Sequence, residues 1–457
     1  MYYELLSKLS NFNRCHCGPE MEAAFQKLIK YYSGSRLLRY SKNEVNGWLR
    51  PPHWICKKAE LTDVAGNVIV SIDESNLSVY SYSPSIDKVV PYDELEGHLL
   101  SDPKRPDAIC FHFRNQYQHW AANWGFSLPH KVREKLPRNS KYHVKIESKF
   151  DTTKDLIQSE FHHQGKSNDT YMFIGHFDHP SQVNDGLAGC IAAYEIIRRL
   201  NGRKTRFSYR AFASVEIVGS VFYLDALKGK VKNIKEAMFL GFSGIDDAPL
   251  VYQQSFYKKS LLDRIVKFLL SFNRDEKTNV FNHREVLGND ENVFDSVGFN
   301  IPTGTLMRWP HPNYHTNLDS MDITSEAKME EFILFNLRVV DIIENNFFIQ
   351  SNYIGLPSLA NPDIDLYLSP TEVSGIIGKM NKISSKYHCE LPDQESKYLI
   401  ENPELLNKFM QNTIRLADGR NTVLDIAEVS KIPFDFALNY LNLLKDKGLV
   451  SFMETSK

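Results

Sequence analysis

The ten residues His176 to Asp185, HFDHPSQVND, bring together His176, Asp178, His179 and Asp185. The apolar run YMFIG at 171–175 directly precedes them, so they leave the end of a buried strand together. Neutral imidazoles and carboxylates are the ligands of zinc, and a catalytic zinc keeps one coordination position open. Such a loop supplies two ligands, and a third has to come from elsewhere. Glu216 follows FSYRAFASV, and His311 and His315 lie in the proline-punctuated MRWPHPNYHTNLDSMD. A carboxylate within one water of the metal would serve as general base in hydrolysis. Each residue also has an ordinary reading: a loop histidine is most often just polar, Asn184-Asp185 suits a helix N-cap, and Glu216 suits a solvated surface. Their recurrence at three segment ends raises the metal reading to stand level with the ordinary one.

Elements able to position these residues follow from the apolar patterning. YMFIG, FSYRAFASV and EAMFLGFSG read as buried strands; CIAAYEIIRRL, SVFYLDALKGKV and KSLLDRIVKFLLSF read as helices. Their alternation predicts an α/β fold, a largely parallel sheet with helices on both faces, whose sites form at the carboxyl ends of strands. Asn184-Asp185 is then expected at the N-terminus of the helix running through LAGCIAAYEIIRRL, and 20–32 is helical. Residues 48–145, rich in Val, Ser, Tyr and Asp with frequent turn signals, predict an inserted β-rich domain. The α/β domain is therefore discontinuous, over 1–47 and 146–355. After IGLPSLANPDIDLYLSP, residues 360–457 predict a winged helix-turn-helix domain. Its second helix, FDFALNYLNLLKDK, is basic only at its end, whereas phosphate contacts need Lys or Arg along the surface. Packing against the α/β domain or a second subunit suits it better than DNA.

The chain has 457 residues, 42% hydrophobic and 24% charged, with 54 Lys and Arg against 56 Asp and Glu. That balance leaves no electrostatic footprint for nucleic acid or an anionic membrane. No apolar run approaches the roughly 18 residues of a membrane span, and the first residues have no signal-peptide core. The reading is cytoplasmic. Six cysteines (15, 17, 56, 110, 190 and 389) make no disulfide framework. Cys15-His16-Cys17 lacks a second ligand pair at finger spacing and reads as free thiols near a helix start.

The order HxD…NDxxxG…E..GS…YHT..D resembles the M28-type zinc aminopeptidase superfamily, and more closely its DUF4910 aminopeptidase-like branch. That branch carries a DUF2172-type β insert and a C-terminal winged helix. Asp178-His179-Pro180-Ser181 and Asn184-Asp185-Gly186-Leu187-Ala188-Gly189 resemble its CHPS…NDNLSG motif. WLRPPHW (Trp48 to Trp54), AELTDVAGNVIV and QHWAANWGFSL resemble further segments, so the likeness covers nearly the whole chain. It implies a zinc-aminopeptidase-like fold. It implies His179, Asp185 and His315 as zinc ligands, with His179 favoured over His176 and binding through both left open. Glu216 would be the general base. Asp178 replaces the usual Cys and, with His176, recreates HxD. Asp290-Glu291 in LGNDENVF resembles a GSDE segment that would hold the site or the substrate amine. Asp319 is a further acid for an ammonium, and Tyr252, Ser255 and Arg308 are cleft candidates, Arg308 suiting a carboxylate. Ile217 stands where two-zinc members place a second Glu, and FLGFSG has no carboxylate at its end, which implies one zinc.

The expectation is thus a single-zinc aminopeptidase or amidohydrolase acting on a small peptide or amide-bearing small molecule. No nucleic-acid or membrane partner is expected, and a homo-oligomer is left open. The alternatives are a non-catalytic binding or regulatory protein on the same scaffold, or a winged-helix DNA-binding regulator.

Overall fold

The computed structural model describes residues 2–272, 279–387 and 391–454; Cys389 lies outside them. By internal contacts the chain divides into two units, 1–262 with 279–336, and 263–278 with 337–457.

The first unit is built on an eight-stranded sheet. In chain order its strands are β1 (Arg36–Tyr40), β2 (Leu156–His163), β3 (Thr170–His176), β4 (Ser208–Ser214), β5 (Ile234–Gly241), β6 (Leu250–Gln253), β7 (Asn279–Phe281) and β8 (Thr303–Arg308). Across the sheet they run β1-β2-β4-β3-β5-β8-β6-β7. The expectation of a largely parallel sheet holds for the central β4, β3, β5 and β8. It fails at the flanks, where β1–β2, β2–β4 and β6–β8 are antiparallel, so the sheet is mixed. Flank strands need not be apolar throughout, and neither their sequence nor their spacing reveals direction. Every residue of β3 is buried, as its continuous apolar run requires.

The chain passes from β3 to β4 on one side and then crosses to β5 on the other. The carboxyl end of β3 is therefore a topological switch point, where open α/β sheets form their crevice. Helix α1 (Gly189–Leu200) packs over β2 to β5. Gly189 permits this approach, since a Cβ there would lie 1.9 Å from the Leu240 carbonyl oxygen. Helix α2 (Val218–Leu227) follows β4. A separate four-stranded antiparallel sheet, Val68–Ser71, His53–Asp63, Lys141–Asp151 and Ile86–Pro91 in spatial order, carries its own core around Trp54, Leu61, Phe126 and Val144.

In the second unit Phe348–Ser351 lies between Asp418–Thr422 and Val450–Met453 in an antiparallel sheet. Helices Glu404–Leu416, Val423–Ser430 and Phe434–Asp446 accompany it. Thr422 and Asp425 form a capping box that starts the middle helix. Among the described residues, no helix is long and apolar enough to cross a membrane.

Candidate metal centre

His176 is the last residue of β3, and the loop leaving it turns back over the sheet. Arg14, fully buried, fixes that loop by donating to the carbonyls of Phe177 (2.9 Å), His179 (2.9 Å) and Gln182 (2.5 Å). His179 has φ +80° and Ser181 φ +57°, a region costly for residues with a Cβ. Asn184-Asp185 lies at the N-terminal end of the helix, as expected, but does not cap it through a side chain. It opens a kinked turn, Asn184–Ala188, in which Asp185 and Gly186 are non-helical, and the regular helix starts only at Gly189. Gly186 is required twice over: its φ is +95°, and a Cβ would lie 2.3 Å from His176 Nδ1. Asp319 braces the turn, accepting from the backbone amides of Asn184 (2.9 Å) and Asp185 (2.8 Å).

The turn places Asp185 among three imidazoles. His176 Nε2 is 3.2 Å from Asp185 Oδ1; His315 Nε2 and His179 Nε2 are 3.2 and 3.8 Å from Oδ2. Ligands at about 2 Å around a tetrahedral ion stand about 3.3 Å apart, so these spacings fit a shared cation. Asp185 Oδ2 is buried and has no hydrogen-bond partner, as a free ligand atom would be. The triplets His176–His179–Asp185 and Asp178–His179–Glu216 each offer donor atoms within 4.8 Å of one another. His179 belongs to both.

Asp178 faces the opposite nitrogens: its Oδ1 is 3.4 Å from His176 Nδ1, and its Oδ2 is 3.2 Å from His179 Nδ1. One carboxylate thus turns two imidazoles so that both present Nε2 to Asp185, the arrangement by which outer carboxylates orient metal-binding histidines. Burial alone would raise the Asp178 carboxyl. The charge of His179 and hydrogen bonds from His16, His176 and His179 instead hold it well below the usual carboxylate range. Asp185 is likewise held low against burial by His179, His176 and His315. Both acids therefore stay anionic in a buried place, which is an environment for a cation.

Glu216 lies just beyond β4. Its amide donates to Asp178 Oδ1 (3.0 Å), and its Oε2 is 3.9 Å from His179 Nε2. Ile217, a β-branched residue at φ +59°, makes the turn that aims it. Asp290 sustains this strained turn, accepting from the Ile217 amide (3.0 Å), Ser220 Oγ (2.5 Å) and Ser214 Oγ (3.2 Å).

Most of the other predicted site residues are buried. Asp290, Glu291 and Asp319 lie in the interior; burial pushes Asp290 up to about 7 and Glu291 up to about 8. Glu291 Oε1 and Oε2 accept from the Asn289 amide. Arg308 is buried, donating to the Ala248 carbonyl (2.8 Å) and pairing with Glu331 (3.2 Å). Tyr252 lies under Gly304, where a Cβ would meet its hydroxyl at 2.1 Å, and Ser255 is buried. His311 faces Asp319 (Nε2 to Oδ1 3.5 Å), while His315, at φ +56°, joins the cluster.

Four contributors carried no motif. Besides Arg14, His16 Nε2 approaches Asp178 Oδ2 (3.2 Å). Cys15 and Cys17, beside it, are buried free thiols before the helix Pro19–Tyr31, as read. Tyr117 donates a hydrogen bond to Glu216 Oε2, and its ring meets the His16 ring edge-on at 4.8 Å. Phe111 packs on His179 (4.7 Å) and His315 (5.4 Å), while its amide donates to the His315 carbonyl (2.8 Å). A histidine three residues before the helix Pro19–Tyr31, or a tyrosine ending the short helix Arg114–Tyr117, has no local pattern to mark its role. The sequence marks His16 only within Cys15-His16-Cys17, read as free thiols, and Tyr117 only by its place next to QHWAANWGFSL.

A family model described as a domain of unknown function, DUF4910, matches residues 3–346. A Clostridium acetobutylicum protein, provisionally named a polysaccharide biosynthesis protein with an aminopeptidase-like domain, is 28% identical over 401 residues, 86% of this chain and 83% of its own. The crystal structure of a provisionally assigned Clostridium acetobutylicum peptidase matches with TM-score 0.80 at 24% identity, covering 99% of this chain and 96% of that one. BSAP, a zinc aminopeptidase from Bacillus subtilis, matches with TM-score 0.52 at 14% identity, covering 75% and 94%. The mixed sheet with its crossover at β3 is accordingly a zinc-aminopeptidase-like fold. With three quarters of its length inside one family model, this chain belongs to the DUF4910 family.

Proposed function

We propose that this protein is a single-zinc hydrolase of the aminopeptidase kind, cleaving an amide bond in a small peptide or amide-bearing small molecule. The observation that carries this reading is the approach of His179 and His315 to Asp185 Oδ2, with Glu216 Oε2 3.9 Å from His179 Nε2. His179, Asp185 and His315 would hold the zinc; among the described residues only His176 faces Oδ1, which favours one ion over two. A zinc ion there supplies Lewis acidity, polarising a carbonyl and acidifying water. Glu216 takes the proton of the attacking water and delivers it to the leaving nitrogen. Asp178 acts through the imidazoles it orients, and Asp290 through the turn that aims Glu216. Similarity to the named aminopeptidase-like relative supports the same class of chemistry.

On this reading the four-stranded sheet is a DUF2172-type insert and the C-terminal unit a winged helix. Helix Phe434–Asp446 buries most of its residues, including Asn439 and Asn442, which favours a packing role over DNA binding. Five free cysteines among the described residues suit a cytoplasmic setting. A non-catalytic regulatory role is the second reading, and Ile217 in place of a second carboxylate favours it. The test is metal analysis of the purified chain together with turnover of aminoacyl amides and N-acylated sugars by wild type and Glu216→Gln. The variant should keep about one zinc and lose turnover. Equal turnover removes Glu216 from the mechanism, and a folded, metal-free wild type favours the regulatory reading.

A further inference from the structure

Beside the metal centre lies a cleft of about 240 Å³ bordered by Trp48, Pro51, Gln116, Tyr117, His119 and Trp120. It joins two segments far apart in sequence: WLRPPHW, and the QYQHW stretch that also supplies the partner of Glu216. Val218, two residues beyond Glu216, completes the wall on the α2 side.

Three features define what would fit. Trp120 is 59% exposed and Trp48 37%, so two indole rings at this border remain partly open to solvent. Gln116 is 1% exposed; its Oε1 accepts from the His16 amide (2.9 Å), while its Nε2 is buried without a hydrogen-bond partner. Leaving a buried amide donor unpaired is unfavourable, so this one, on a residue lining the cleft, suits a ligand acceptor. Among the described residues no charged side chain lines the cleft, and burial with nearby His16 lowers His119 to about 4, leaving its ring neutral at pH 7.

We propose that this cleft binds one uncharged carbohydrate ring of the substrate, its apolar face on the tryptophans and a ring oxygen or hydroxyl on Gln116 Nε2. The size is below the roughly 300 Å³ at which drug-sized pockets begin, which suits a single ring and not an extended peptide. The lack of charge argues against a phosphate, a carboxylate or a free ammonium. An aromatic side chain would cover the indoles but leave Gln116 unpaired, whereas a sugar presents an apolar C–H face and acceptors around its edge. The amide to be cleaved would then be carried by a sugar. This assignment deepens the hydrolase reading and rests on it for the link to catalysis, made by Tyr117, which touches both cleft and Glu216.

Binding is testable without turnover, so failure of either idea is visible separately. Saturation-transfer NMR with the full chain would use N-acetylglucosamine and glucose as sugar probes and N-acetylphenylalaninamide as the aromatic one. The expected result is saturation of sugar ring protons, with affinity falling at least tenfold in Trp120→Ala and Gln116→Leu and partly restored in Trp120→Phe. Trp120 is exposed enough for its replacement to leave the core intact, and circular dichroism would check both variants. Preference for the aromatic probe, absence of sugar binding up to tens of millimolar, or equal sugar binding by wild type and Trp120→Ala overturns the proposal. Loss of hydrolysis with sugar binding retained would overturn the enzymatic reading and leave the cleft standing.

Discussion

One part of the centre is made of residues crowded at the ends of β3 and β4: His176, Asp178, His179 and Glu216. The other consists of single residues from remote segments that contact them, Arg14 and His16 near the N-terminus and Phe111 and Tyr117. The first part supplies donor atoms and the second holds them in place or adjusts them. Damage to the two parts should therefore differ in kind: loss of metal or of chemistry in the first, loss of stability or a partial loss of rate in the second.

The largest effects are expected among the donors. His179→Ala should take metal content from about one ion per chain toward none, read by plasma emission spectroscopy. Glu216→Gln should keep the metal while the turnover number falls by about 10²- to 10⁴-fold, the usual worth of a general base.

Next comes the bracing. Arg14→Met leaves the carbonyls of Phe177, His179 and Gln182 without their donor, and should cost about 3–5 kcal/mol in denaturant unfolding. Gly186→Ala forces a Cβ against His176 at positive φ and should cost at least about 2 kcal/mol. Wild-type stability in either variant would mean that the loop is not held as described.

Tyr117→Phe removes only a hydroxyl. It should lower the turnover number by about tenfold, the ~1.5 kcal/mol of a hydrogen bond to a charged group, with metal content unchanged. A larger loss of metal than of rate would shift Tyr117 to the donor side of the comparison. The smallest effect belongs to the other unit. Thr422→Ala breaks the capping box for about 1 kcal/mol and should leave metal and turnover untouched.

The same division explains what could be read from the sequence. Strand β3 and the helix after it were legible because a fully buried strand and an amphipathic helix write their burial into local pattern. Donors after β3 were legible because they crowd there. Strand directions at the flanks, the kinked turn at Asp185 and the burial of Asp290 were not, since long-range pairing and packing decide them. Whether His176 or His179 was the first ligand could not be resolved by spacing either. Both approach Asp185, on different oxygens, because Asp178 orients the two rings together. Arg14 and Tyr117 stood among ordinary neighbours, and only the fold brings them to the centre.

The central claim is that one zinc sits where His179, Asp185 and His315 converge. Anomalous diffraction above and below the zinc edge, from crystals of the chain purified without chelator, tests it most directly. The account predicts one strong difference peak within about 2.2 Å of His179 Nε2, His315 Nε2 and Asp185 Oδ2. A zinc peak held by other residues, or none at these three in protein shown by mass analysis to carry zinc, would contradict it.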